Sequence, residues 1–145
     1  MFLFDEPVIE VVKNAPLDRL WLFLPVGYLT TILIETPVLL FGLPGKLSLK
    51  QKLGCGVWLT ACTYPVVVLV LPLLFGNSSR FAYLVTAETF APVAECALFW
   101  AAFGDERELG RASMWRDFAA ITAANLLSFA LGELLNVYGW FGVLS

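Results

Sequence analysis

Four runs of mostly apolar residues divide the chain, at about 20–41, 53–75, 81–103 and 117–137. Each is close to the ~20 residues that cross ~30 Å of hydrocarbon at ~1.5 Å per residue. None alternates with a period of two, as a barrel strand would. A helix satisfies its own backbone groups in lipid, so the predicted elements are four membrane-spanning helices. The expected fold is all-α, a four-transmembrane-helix bundle occupying 20–145 and preceded by an interfacial segment, 1–19. In that segment Asp5 or Glu6 can cap a short helix with Pro7 in its first turn. Val8, Ile9, Val11 and Val12 would then lie against the bilayer surface. Acids stand where a signal peptide needs basic residues, so no cleavable signal is expected.

Aromatic residues cluster at the ends of the runs, among them Trp21, Phe75, Phe81, Trp100, Phe103, Trp115, Tyr138 and Trp140. That is where interfacial belts are expected. The first connection carries Lys46, Lys50 and Lys52, and the third carries Arg107, Arg111 and Arg116. The other extramembrane segments hold only Lys13, Arg19 and Arg80. Positive-inside counting puts the first and third connections in the cytoplasm and both termini outside it, as for a bacterial inner-membrane protein.

Composition agrees. Apolar residues make up 59% of the chain and charged residues 14%, against about a quarter charged in ordinary soluble domains. Mean hydropathy is +0.80. The lipid bilayer is the expected partner, and nucleic acid is not. The absence of His removes His-ligated metals, His-ligated haem and His-based triads. No phosphate-binding Gly loop is present, so neither haem nor nucleotide is expected as a cofactor. No nucleophile elbow occurs, and no catalytic residue is assigned. Cys55, Cys62 and Cys96 all lie in apolar runs and read as small apolar residues, not a disulfide framework.

The informative residues are four acids inside the runs: Glu35, Glu88, Glu95 and Glu133. One charged carboxylate at mid-bilayer costs at least ~2.5–3.5 kcal/mol, so each must face the bundle interior, pair or carry a proton. Glu88 and Glu95 share a helix face about 10 Å apart, with Pro92 between them. Proline at that position frees the carbonyl of Glu88 itself, and Pro37 and Pro65 similarly free those of Leu33 and Ala61. Thr60, Thr63 and Tyr64 lie near the last of these. Clustered oxygens suit a hard cation or a proton relay. The fourth run carries Ala120, Ala124, Ser128, Gly132 and Asn136 at steps of four, a seam for close helix packing. Asn125 beside it can donate to a carboxylate. The expected ion or proton site is therefore Glu35, Glu88, Glu95 and Asn125, supported by Thr63, Tyr64, Ser128 and Glu133. Which metal it would take, if any, is left open.

The halves also echo one another. An offset of 62 aligns Phe41-Gly42 with Phe103-Gly104 and Thr60-Ala61 with Thr122-Ala123, and an offset of 60 aligns Glu35 with Glu95. A duplicated two-helix unit would make Glu35 and Glu95 face each other at similar depth.

These features resemble a group of small uncharacterised bacterial four-helix membrane proteins with intramembrane Glu residues. The likeness rests on Ile34-Glu35-Thr36, Thr63-Tyr64-Pro65, Glu88 with Glu95, and Asn125-Leu126-Leu127-Ser128-Phe129-Ala130-Leu131-Gly132, and covers about 30–133. It implies the same residue set and no particular reaction.

Two functions follow. In the first, buried carboxylates bind or relay a cation or proton, in a monomer or a homo-oligomer. In the second, the chain is a non-catalytic transmembrane subunit or assembly factor of a larger membrane complex. An intramembrane enzyme ranks third. The first needs acids converging inside the bundle. The second needs a polar or small-residue seam turned outward.

Overall fold

The computed structural model describes residues 17–104 and 111–138, all helical apart from short connections. Of the expected interfacial segment 1–19, residues 1–16 lie outside the described residues, as do Arg107, Trp140 and Phe141, whereas 17–19 form the start of α1. Helix α1 spans Leu17–Gly42 and α2 spans Leu49–Pro65. A π-helical turn, Val66–Val70, and the short α3, Leu71–Leu74, continue α2 to the end of its span. Helix α4 spans Arg80–Phe103 and α5 spans Arg111–Val137. Four stretches are long and apolar enough to cross a membrane: Leu24–Gly42, Leu49–Leu74, Arg80–Phe103 and Met114–Leu135. The chain is thus a four-helix membrane protein by length and composition. The second and fourth helices begin before the apolar runs do, because polar first turns still hydrogen-bond as helix.

Local sequence sets the boundaries. Ser48 and Gln51 form a capping box: the Ser48 hydroxyl accepts from the Gln51 N–H, and the Gln51 side chain accepts from the Ser48 N–H. Ser79 caps α4 by accepting from the Ala82 N–H. Pro65 has no N–H to give Ala61, and the helix widens into the π turn just after it. The Val67 carbonyl in that turn accepts from the Tyr83 hydroxyl at 3.0 Å. Pro92, by contrast, leaves α4 unbroken.

Helix α1 packs against α2 and α5, and α4 packs against the same two. The bundle is therefore a ring in which α1 lies diagonally across from α4, and α2 from α5. We call the end with the first and third connections the base, and the end with the second connection the mouth. Near the base, a Cβ on Gly42 would come within 2.5 Å of the Ala120 Cβ, and one on Gly56 would overlap the Thr36 side chain. Backbone contact at these points draws α1 against α5 and α2. The core, Leu39, Leu43, Leu47, Cys55, Leu59, Phe99, Ile121 and Ala124, fills the base half. Outward-facing Leu33, Phe41, Leu73, Val93 and Trp115 are exposed, as lipid-facing side chains are. The expected seam on α5 divides: Ala120 and Ala124 pack closely, whereas a Cβ on Gly132, toward the mouth, meets nothing.

Candidate functional site

Two acids meet at mid-span. Glu35 of α1 and Glu95 of α4 are each only 2% exposed. They sit on diagonal helices, and the other diagonal pair supplies their partners. The Thr60 hydroxyl donates to Glu35 Oε2 at 2.8 Å, and the Ser128 hydroxyl donates to Glu35 Oε1 at 2.8 Å. The Thr63 hydroxyl donates to Glu95 Oε1 at 2.7 Å, and the Asn125 Nδ2 donates to Glu95 Oε2 at 2.7 Å. Every carboxylate oxygen thus has one neutral donor, and each acid is bridged to both donor helices.

Helical geometry explains the sharing. Thr60 and Thr63 are three residues apart on α2, as are Asn125 and Ser128 on α5, so each pair occupies one face within one turn. On both helices the earlier residue serves the acid of its own hairpin and the later residue serves the acid of the other hairpin. The pattern maps onto itself when α1–α2 is exchanged with α4–α5. The two acids are near enough to act on one another electrostatically. Like charges so placed in a low-dielectric interior oppose simultaneous ionisation.

The donors differ in what else they do. Thr60 Oγ1 also lies 2.8 Å from the Gly56 carbonyl, Thr63 Oγ1 3.2 Å from that of Leu59, and Ser128 Oγ 3.2 Å from that of Asn125. Each hydroxyl has one hydrogen and two acceptors for it. The Asn125 amide has two hydrogens and uses both, on Glu95 and on the Ile121 carbonyl at 3.0 Å. Both neighbours accept, which assigns the orientation of the amide.

The other expected residues lie apart. Glu88 is half-buried on the inward face of α4, toward the mouth, with no hydrogen bond to a described residue. It does not share ligands with Glu95, because seven residues of helix hold the two about 10 Å apart. Glu133 pairs with Arg80 across α5 and α4, at 3.1 Å and 3.2 Å. Tyr64 packs its ring on Tyr28, with centroids 5.8 Å apart, and does not join the acids.

Two residues stand outside the expected set. Thr60 completes the Glu35 site, and its spacing of three from Thr63 was the available signal. Asp117 is fully buried, and neither carboxylate oxygen has a hydrogen-bond partner among the described residues. Arg116 and Lys52 act on it electrostatically. The Lys52 ammonium donates instead to the Leu40 and Leu43 carbonyls at the end of α1, at 3.1 Å and 2.8 Å. Asp117 marked only the edge of an apolar run, where an acid looks interfacial.

Among the described residues, no group of three or more His, Cys, Asp or Glu is arranged to hold a metal ion. Comparison with protein-family models, curated proteins and solved structures gave no match.

Proposed function

We propose that this membrane protein binds or relays a proton or small cation at the Glu35–Glu95 centre. One observation carries the reading: two carboxyls at mid-span, buried from solvent, receive only neutral donors. Neither is among the acids that pair with a basic side chain. Hydrogen bonds from hydroxyls and an amide orient a carboxylate without cancelling its charge, so the charge is left for a mobile positive species. A helix-joining role would need only one acid–donor pair, whereas here all four helices converge on two acids.

A subunit role in a larger complex would need the polar and small residues turned outward. Glu35, Glu95, Thr60, Thr63 and Asn125 instead face the bundle interior, which supports the ion or proton reading. The base, carrying Lys46, Lys50, Lys52 and Arg116, faces the cytoplasm in this proposal, and the mouth faces outward. A homo-oligomer is compatible with the same centre. The test is pH- and cation-dependent proton or cation uptake by the protein in nanodiscs, for the wild type, Glu35→Gln and Glu95→Gln. Uptake that each variant reduces supports the reading, and equal uptake in all three removes it.

A further inference from the structure

The geometry points to a proton as the species taken up at the Glu35–Glu95 centre, reached from the mouth alone by way of Glu88. The inference rests on the preceding reading and adds the identity of the species and its route.

The donor set argues for a proton. Asn125 Nδ2 is held between Glu95 Oε2 and the Ile121 carbonyl, so a hydrogen points at that oxygen. An amide nitrogen so fixed is no ligand for a metal cation. The three hydroxyls, however, are already set for a change of protonation. When a proton binds Glu95 Oε1, the new acid O–H donates to Thr63 Oγ1. The Thr63 hydroxyl then turns its own hydrogen to the Leu59 carbonyl. Glu35 can do the same at either oxygen, with Thr60 turning to the Gly56 carbonyl or Ser128 to that of Asn125. One proton is gained, no heavy-atom bond changes, and every polar hydrogen keeps an acceptor.

Burial argues for the route. Along the inward line of α4, Glu88 is half-buried, Pro92 is buried, Glu95 is 2% exposed and Phe99 is 0% exposed. On α2 the last buried position is Thr63, no residue of the following π turn is buried, and the next buried position is Leu71 of α3. On α5, Asp117, Ile121, Ala124 and Asn125 are buried, whereas Ser128, Gly132 and Glu133 are not fully so. Toward the base, Leu39, Leu59, Phe99 and Ile121 close the bundle with apolar side chains that give a proton no acceptor. Toward the mouth Gly27, Leu71, Gly76 and Ala87 are also buried, but there the interior carries ionisable groups in place of the apolar core. Glu35 on α1 and Glu133 on α5 act on Glu88, and Tyr83 of α4 lies within the fields of Glu88, Arg80 and Glu133, with Tyr64 on α2 beside it. Glu88 stands between this mouth and the centre, without a hydrogen bond to any described residue. Asp117 lies two turns beyond Asn125, past Ile121, and is cut off from the route.

The test has two arms. In nanodiscs, the infrared band of protonated carboxyls is followed during transfer to deuterated buffer, at several pH values and with added sodium, potassium or magnesium salts. The wild type should show a titrating band, lost in part in Glu35→Gln and in Glu95→Gln and insensitive to the added cation. Glu88→Gln should keep that band but lose the fast phase of its exchange. In the second arm, the native cysteines are replaced by Ala, and Glu88→Cys or Ile121→Cys is exposed to a membrane-impermeant thiol reagent. Glu88→Cys should react only from the mouth side, and Ile121→Cys from neither side. Absence of any titrating band assignable to Glu35 or Glu95 would overturn the underlying site reading. A band displaced by one of the cations would overturn the proton assignment. Unchanged exchange in Glu88→Gln, or labelling of Glu88→Cys from the base side, would overturn the route while leaving the site in place.

Discussion

Thr60 and Thr63, a single turn apart on α2, hydrogen-bond to carboxylates on opposite helices of the bundle, Glu35 on α1 and Glu95 on α4. One face of one helix therefore ties together both hairpins. Asn125 and Ser128 repeat the arrangement from the other side.

Removing either threonine hydroxyl without changing shape should weaken the bundle. Thr60→Val and Thr63→Val each leave a buried carboxylate oxygen without its donor, a loss of about 1–3 kcal/mol. Thr60→Ser and Thr63→Ser should restore most of it. Thermal unfolding in detergent measures this, and Val variants as stable as the wild type would show that the hydroxyls do not hold the acids.

Packing should be unforgiving at the base and permissive at the mouth. Gly42→Leu forces α1 away from Ala120, and overpacking of this kind costs roughly 1–3 kcal/mol. Gly132→Leu meets open space and should leave the melting temperature near that of the wild type. A reversed order of the two variants would mean that α5 is seated differently on α1.

Asp117 should lower stability. Its buried carboxylate has no hydrogen bond to a described residue, and a buried unsatisfied group costs about 1–3 kcal/mol, more if charged. Asp117→Leu should therefore raise the melting temperature, with uptake at the Glu35–Glu95 centre unaltered because the residue lies beyond the apolar closure. A fall in melting temperature would show that the carboxylate is held by a partner.

The proposed orientation rests on the basic residues at the base. A fluorescent protein fused after Ser145 should stay dark in bacteria, since it folds poorly once exported, whereas a periplasmic reporter enzyme at that position should be active. A bright fusion would put the C-terminus in the cytoplasm and reverse the proposed sides.

Much of this was legible in the sequence, for identifiable reasons. Hydrophobic run length alone located the four spans, because lipid makes the length of an apolar helix a physical requirement. The cost of a mid-membrane charge singled out Glu35, Glu88, Glu95 and Glu133, and Asn125 followed as a donor beside them. Partner choice was less legible. Glu88 and Glu95 share a helix face and so looked like a pair, but contact is decided by the neighbouring helices. Those bring Glu35, not Glu88, to the depth of Glu95. Thr60 was visible only as a neighbour of Pro65, since nothing local reveals that α2 lies between the two acid-bearing helices. Tyr64 was grouped with the acids by proximity in sequence, yet the helix turns it toward Tyr28.

The central claim is that Glu35 and Glu95 take up a mobile positive species and are more than hydrogen-bonded cross-links. Gln at either position fits the same partners. Its carbonyl accepts from one donor while its amide donates to a hydroxyl, which turns to the backbone carbonyl already within reach. Fold and function are thereby separable. The most direct measurement is the melting temperature of the wild type, Glu35→Gln and Glu95→Gln across one series of pH and cation concentration. The account predicts three folded proteins, with a pH or cation response in the wild type that is reduced in each variant. Three superimposable responses would contradict it and leave both acids as structural cross-links.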